Sequence, residues 1–254
     1  MRLGTRIAFA LLSAVVVAGF FLSANEIDLA QSLASPNIAH PAGTDQLGRD
    51  MLLRAISGGS HSVLTAALAW LGALAVGVFL GVLASIAPSK TIRESIRATI
   101  SLGYTVPFFP LVVAGAGAAG LGNAGAYIVL VAVAWVVPAR QTDLLATRLM
   151  SAQFVVANRA LGYPNDQLAR FVLLPEIAAT IVIPSVAVLP EILALDAALA
   201  FFGLGPPLPQ ASLGSLVVSG IDMVSVAPWV AICPILMLAS ICFALRTVVQ
   251  GGKT

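Results

Sequence analysis

Two carboxylates, Glu191 and Asp196, interrupt an otherwise apolar run at residues 177–202. A charge near the centre of a bilayer costs about 2.5–3.5 kcal/mol on insertion scales, so such groups are kept for a task or a partner. One reading makes them relay groups or pathway lining, with Phe201 beside them. The other makes them paired or protonated carboxylates near the interface, since Asp196 lies less than two helical turns from the end of the run. Cys233 and Cys242 share one apolar run. On a helix they would stand about 13 Å apart, too far for a disulfide. His40 and His61 read as separate hydrogen-bonding groups rather than a metal pair. Gly252-Lys253-Thr254 imitates the end of a phosphate-binding loop, but Thr247 stands where the first glycine is needed and no helix follows. No nucleophile–base pair or metal motif emerges, so the chain reads as non-catalytic with no cofactor of its own.

The elements that carry these groups are set by composition. The 254 residues are 59% hydrophobic and 9% charged, with a mean hydropathy of +1.00. A soluble domain carries roughly 25% charged residues, so this composition predicts an all-α integral membrane protein. A net charge of +2 is too small to argue for a nucleic-acid partner.

A span needs about 20 mostly apolar residues, which predicts six: 7–23, 62–86, 96–119, 124–146, 177–202 and 227–248. The first also resembles a signal peptide; we expect it to be retained. The chain divides into a first span with an outer loop (1–61), a membrane core (62–248) and a short tail (249–254). With the N-terminus inside, eleven of the thirteen Lys and Arg fall on the cytoplasmic side, and only Arg49 and Arg54 fall outside. The positive-inside rule therefore puts both termini, and the stretch 154–176, in the cytoplasm. Gly77 and Gly81 form a small-xxx-small face suited to close helix approach. Pro107, Pro110, Pro138, Pro184, Pro190 and Pro234 are expected to bend spans. Arg140 and Asp143 read as interfacial anchors.

The stretch 154–176 is a small, charged, sharply turned segment between apolar runs. An amphipathic helix from Phe154 to Leu161 is stopped by Gly162, which supplies a left-handed residue. Tyr163-Pro164 turns the chain. Asn165 is expected to cap a second helix, Asp166 to complement its positive end, and the helix to run to Leu174, just before Pro175. The product is a two-helix elbow with Ala157, Leu161 and Tyr163 free to enter a partner's groove; a plain connecting loop is the alternative. On the other side, Thr44-Asp45 is expected to cap a helix from Gln46 to Ser57, either an interfacial amphipathic helix or a surface loop held by salt bridges.

The elbow resembles the cytoplasmic coupling loop of ABC-importer permeases, which reads Glu-Ala-Ala, three residues, Gly, nine residues, Ile, one residue, Leu-Pro. Val156, Ala157 and Asn158 take the first three places, Gly162 the glycine, Val172 the isoleucine, and Leu174-Pro175 the end. Val156 departs from Glu and Asn158 from Ala. Ala157-Asn158-Arg159-Ala160-Leu161-Gly162 is close to the Ala-Ala-Arg-Ala-Leu-Gly of the dipeptide, oligopeptide and nickel branch. His40 to Asp50, with Gly43, Thr44, Asp45, Gly48, Arg49 and Asp50, resembles that branch's His-x-x-Gly-Thr-Asp-x-x-Gly-Arg-Asp. Leu195 to Pro209 resembles its Glu-Ala-x-Leu-Ser-Phe-Leu-Gly-Leu-Gly, with Asp196 for Glu. The acidic tail of the family is replaced by Gly-Gly-Lys-Thr.

The resemblance implies the type I, methionine-importer-like transmembrane fold in a bacterial inner membrane. It implies a second homologous permease subunit, two separate ATPase subunits holding ATP and Mg, and an extracytoplasmic substrate-binding protein. ATPase coupling would rest on Ala157, Asn158, Arg159, Leu161, Gly162, Tyr163, Pro164 and Asp166. Peptides, nickel or metal–chelate complexes would be the substrates. The rival expectation is a self-sufficient carrier or channel using Glu191 and Asp196.

Overall fold

The computed structural model describes residues 25–105, 122–206 and 210–251, together with residues 10, 13–19, 21, 110, 113, 114 and 117. About half of the expected span at 7–23, most of the second half of that at 96–119, and Gly252-Lys253-Thr254 lie outside the described residues. Regular structure among the described residues is helical, apart from one antiparallel bridge between Thr44 and Asp50. The helices are α1 (Met51–Ile86), α2 (Lys90–Thr105), α3 (Gly122–Ala134), α4 (Val136–Met150), α5 (Gln153–Ala160), α6 (Asn165–Leu168), α7 (Leu174–Ser185), α8 (Leu189–Phe201), α9 (Leu213–Ile221) and α10 (Trp229–Gly251).

Four helical stretches are long and apolar enough to cross a membrane: Met51–Ile86, Ala124–Met150, Leu174–Phe201 and Trp229–Val249. They coincide with the second, fourth, fifth and sixth expected spans. The expected helix from Gln46 to Ser57 needs correction. Helix α1 starts at Met51 and continues without a break to Ile86. At about 1.5 Å per residue its 36 residues extend roughly 54 Å, well beyond an apolar core of ~30 Å. The cap is Asp50, whose Oδ1 accepts the Leu53 N–H at 3.0 Å. Gly58 and Gly59 do not break the helix, because each is packed against a neighbour: Gly58 against Ser212, Leu213 and Leu216, and Gly59 against Met237 and Ile241.

Prolines mark interruptions in two of the remaining spans, whereas Pro234 lies inside α10, which runs unbroken from Trp229 to Gly251. Pro138 has no N–H to donate, and the expected span at 124–146 is interrupted just before it, at Trp135, where α3 ends and α4 begins. Pro184 and Pro190 bracket a 3₁₀ turn, Val186–Val188, between α7 and α8. The buried Ser185 receives the Trp70 indole N–H on its carbonyl at 3.0 Å, so the break leaves this acceptor satisfied.

The chain forms two compact units, each drawn from separate segments. One comprises residues 1–68, 113–130 and 189–254; the other comprises 69–112 and 131–188. In the first, α9 lies between α8 and α10. Its Gly214 meets the Ala197 backbone so closely that a Cβ would stand 2.6 Å from it, and Gly220 meets Ala231 likewise at 2.7 Å. In the second, α4 packs on α7 around Val82, Ala146, Ala169, Leu173, Ile177 and Ile181. There a Cβ on Gly77 would lie 2.8 Å from the Trp135 carbonyl, and one on Gly81 would lie 2.6 Å from Thr142 Cβ. The small-residue face is a close helix contact, as expected from its spacing.

Asp143, expected as an interfacial anchor, faces inward. It is buried and ion-paired with Arg97, whose Nη2 is 3.1 Å from Oδ1, and Ser85 and Thr147 complete the cluster. The pair is 46 residues apart in sequence, which is why periodicity did not reveal it. Arg140, one turn earlier, is exposed.

Candidate functional site

The elbow is anchored by a few buried residues and exposes the rest. Val155, Leu168, Ala169 and Leu173 are buried. Leu161 is 77% exposed, and Phe154, Val156, Tyr163 and Phe171 are also exposed. Ala157, Gly162 and Pro164 are exposed too, and Asn158 is half-buried. The Arg170 guanidinium lies 5.7 Å from the centroid of the Phe171 ring, within cation–π range.

Gly162 ends α5 with φ of +90°, and the Tyr163 N–H donates to the Asn158 carbonyl at 3.1 Å. That six-to-one bond is the Schellman closure, so the expected glycine stop is present. Two details differ from expectation. The cap of α6 is Pro164, whose carbonyl accepts the Leu168 N–H at 3.1 Å, so Asn165 is the first helical residue. Proline suits this place because its carbonyl is used and its missing N–H is not. The second arm also does not stop at Pro175. After one α-turn it widens into a π-helical stretch, Ala169–Leu173, and continues as α7. The Leu174 N–H donates to Ala169 O, five residues back. The wider turn gives the ring of Pro175 the room that an α-turn denies it. Arg159 and Asp166 lie on the elbow's helices.

The outer-side motif is built differently. Thr44 is 0% exposed and Asp45 6%. The Thr44 hydroxyl donates to Gln31 O at 2.5 Å and accepts the Ala34 N–H at 2.8 Å. Asp45 Oδ1 accepts the N–H groups of Leu47 and Arg49, while Oδ2 accepts from Arg49 Nε at 2.7 Å and Arg54 Nη1 at 2.5 Å. Burial alone would raise the Asp45 carboxyl, but these donors outweigh it and hold the group below the usual carboxylate range. Asp50 caps α1 and pairs with His40 Nδ1 at 2.8 Å. The Trp229 indole donates to the Thr44 carbonyl at 3.2 Å. Gly43 and Gly48 both have positive φ. This is a locked loop that fastens the start of α1. It holds the predicted residues together, though not around the helix expected from Gln46.

The pathway candidates separate. Five residues apart on α8, Glu191 and Asp196 point about 140° from one another; Glu191 is exposed and Asp196 is buried. They form no continuous relay. Phe201 is exposed at the end of α8. Asp196 instead lines a cavity with His61 and Tyr127. The sequence reading did not join these residues, because 135 positions separate His61 from Asp196 and no local spacing marks them.

Among known proteins, residues 77–250 match the family described as binding-protein-dependent transport system inner membrane component. The chain is 26% identical over 248 residues to the oligopeptide transport system permease protein OppC of Haemophilus influenzae, covering 96% of this chain and 79% of the relative. It is 25% identical over 224 residues to the oligopeptide transport system permease protein AmiD of Streptococcus pneumoniae, covering 88% and 72%. It is 28% identical over 197 residues to the dipeptide transport system permease protein DppC of Lactococcus lactis, covering 78% of this chain and 57% of that relative. A Brucella suis relative matches over 63% of its own length, so the chain spans less than two thirds of some of the curated relatives it matches. The family match takes in more than half of the chain and contains the whole elbow, the Gly77–Gly81 contact and helices α7 to α9: this chain belongs to the inner-membrane components of binding-protein-dependent transport systems, with the fold of type I ABC importer permeases.

Proposed function

We propose that the chain is one of two permease subunits of an ATP-driven peptide importer, and that an ATPase subunit seats on its elbow. The observation that carries the docking role is the elbow's exposure: Leu161, Tyr163 and Phe171 stand out on an element whose anchors are buried. On an element in the aqueous phase, their exposure is unfavourable unless a partner covers them. The excess of Lys and Arg on the same side supports a cytoplasmic elbow and cytoplasmic termini. The names of the oligopeptide and dipeptide relatives favour peptides over nickel or metal–chelate complexes. ATP and Mg would be held by the ATPase chains. A binding protein would deliver substrate on the outer side. Closure of the ATPases would press the elbow, and the bent spans would convert that motion into opening; this requires the ATPase to contact the elbow differently in the two states.

The test is Leu161→Asp and Ala157→Glu in the intact importer. Each should abolish recovery of an ATPase with the permease and ATP-driven uptake of tri-alanine, while the permease still reaches the membrane. Uptake that persists without any ATPase chain would overturn the reading in favour of a self-sufficient carrier.

A further inference from the structure

A cavity of about 180 Å³ opens among His61, Thr65, Leu68, Tyr127, Asp196 and Leu204. Every residue lining it belongs to the same compact unit. Asp196 is 9% exposed and its Oδ2 has no hydrogen-bond partner; the buried Nδ1 of His61 has none either. An unmatched carboxylate oxygen within a membrane-length helix is costly unless something is held there.

The polar inventory of the cavity is rich in acceptors, and the Thr65 hydroxyl can turn to accept or to donate. Asp196 supplies a carboxylate oxygen. His61 Nδ1 accepts when the ring proton sits on Nε2. The Tyr127 hydroxyl donates its proton to Leu68 O at 3.3 Å, which leaves its lone pairs for a second partner. No Lys or Arg lines the cavity. A site with acceptors, one formal negative charge and apolar walls fits a group with donors only. A primary ammonium has three donors and no acceptor. Divalent ions fit less well, since Zn²⁺ wants three or four protein ligands and Ca²⁺ six to eight oxygens. Size narrows the choice further. Sites that enclose a drug-sized ligand run from about 300 Å³ upward, whereas a cavity of about 150 Å³ takes benzene. This cavity therefore holds one end of a ligand, not the whole.

We propose that this cavity binds a primary ammonium group, and that in the importer it receives the free α-amino end of a peptide. The second half rests on the import function proposed above; the first does not.

The experiment uses the full chain in lipid nanodiscs with ¹⁵N-labelled histidine. L-Alaninamide should shift the His61 ring signals saturably and leave those of His40, paired with Asp50 in the outer loop, in place. N-acetyl-L-alaninamide, of similar shape without the ammonium, should shift neither. Asp196→Asn should weaken the alaninamide response about 30-fold or more, the cost of losing one partner of a desolvated charge pair. Tyr127→Phe should weaken it less. Should Asp196→Asn fail to accumulate, the contrast between amine and acetylated probe on the wild-type chain decides the matter. No shift, an equal shift with the acetylated probe, or the same shift with equimolar KCl would overturn the proposal. A chain that imports peptide yet ignores alaninamide defeats this inference alone. A chain that binds alaninamide in an importer that takes up no peptide defeats the peptide reading and leaves the ammonium site standing.

Discussion

Residues 43–50 and residues 153–173 both carry family-like motifs, yet they direct their side chains in opposite ways. In the outer loop the Thr44 hydroxyl, the Asp45 carboxylate and the Asp50 carboxylate all end on partners within the chain, and Thr44 and Asp45 are buried. On the elbow the buried residues are few and apolar, and Leu161, Tyr163 and Phe171 face outward. A motif whose residues are accounted for by their own fold is explained by stability. A motif whose residues meet little of their own chain points to something outside it. The difference gives the first a structural task and agrees with the docking role proposed for the second.

The largest way to test this contrast is Asp45→Ala. It leaves the Arg54 guanidinium, 5% exposed, without its carboxylate, and breaking a buried pair on one side costs about 3–5 kcal/mol. Thermal unfolding in detergent and proteolysis of the 25–50 segment should both register the loss. Acid should produce a graded version. Because the Asp45 carboxyl is held below its ordinary value, its contribution is complete above the usual carboxylate range of about 3.9 and disappears as pH falls through the lowered folded value. Resistance of the segment to proteolysis should be flat from neutral pH to about pH 5 and then fall. Asp45→Asn should remove that component of the slope.

The two glycines give a sharper, smaller contrast. Gly48 and Gly162 both have positive φ. A Cβ at Gly48 would run into the Asp28 backbone, whereas one at Gly162 meets nothing. Gly48→Ala should therefore cost the strain of about 1 kcal/mol plus an overpacking cost of about 1–3 kcal/mol. Gly162→Ala should cost about 1 kcal/mol from strain alone. Equal losses in detergent melts would break the comparison. The smallest stability effect belongs to Leu161→Asp. Melting should move by no more than about 0.5 kcal/mol equivalent, although the same substitution is expected to abolish ATPase recovery. A large destabilisation there would mean that Leu161 serves the fold.

The four apolar spans were legible because hydropathy over about 20 residues is a local property, and bilayer insertion responds to the same quantity. The elbow was legible for a related reason: Gly162, Tyr163 and Pro164 impose a turn through their own backbone limits. Its finer form was not. The cap at Pro164 and the π-helical stretch before Pro175 depend on how the chain enters α7, and a string of residue types leaves several such routes open. The small face at Gly77 and Gly81 announced a close contact but not its partners, Trp135, Ala139 and Thr142.

Residue type and local order were enough to determine that this chain lives in a bilayer, where most of its spans run, and that a turned, charged element sits between two of them. Tertiary structure alone decided that α1 is one helix from Met51 to Ile86, that Asp143 pairs with Arg97, and that Asp196 shares a cavity with His61 rather than a relay with Glu191. Hydrophobic segregation and backbone stiffness act over a few residues and are written along the chain. The pairing of buried charges and the opening of cavities depend on which distant segments meet, and only the folded chain sets that.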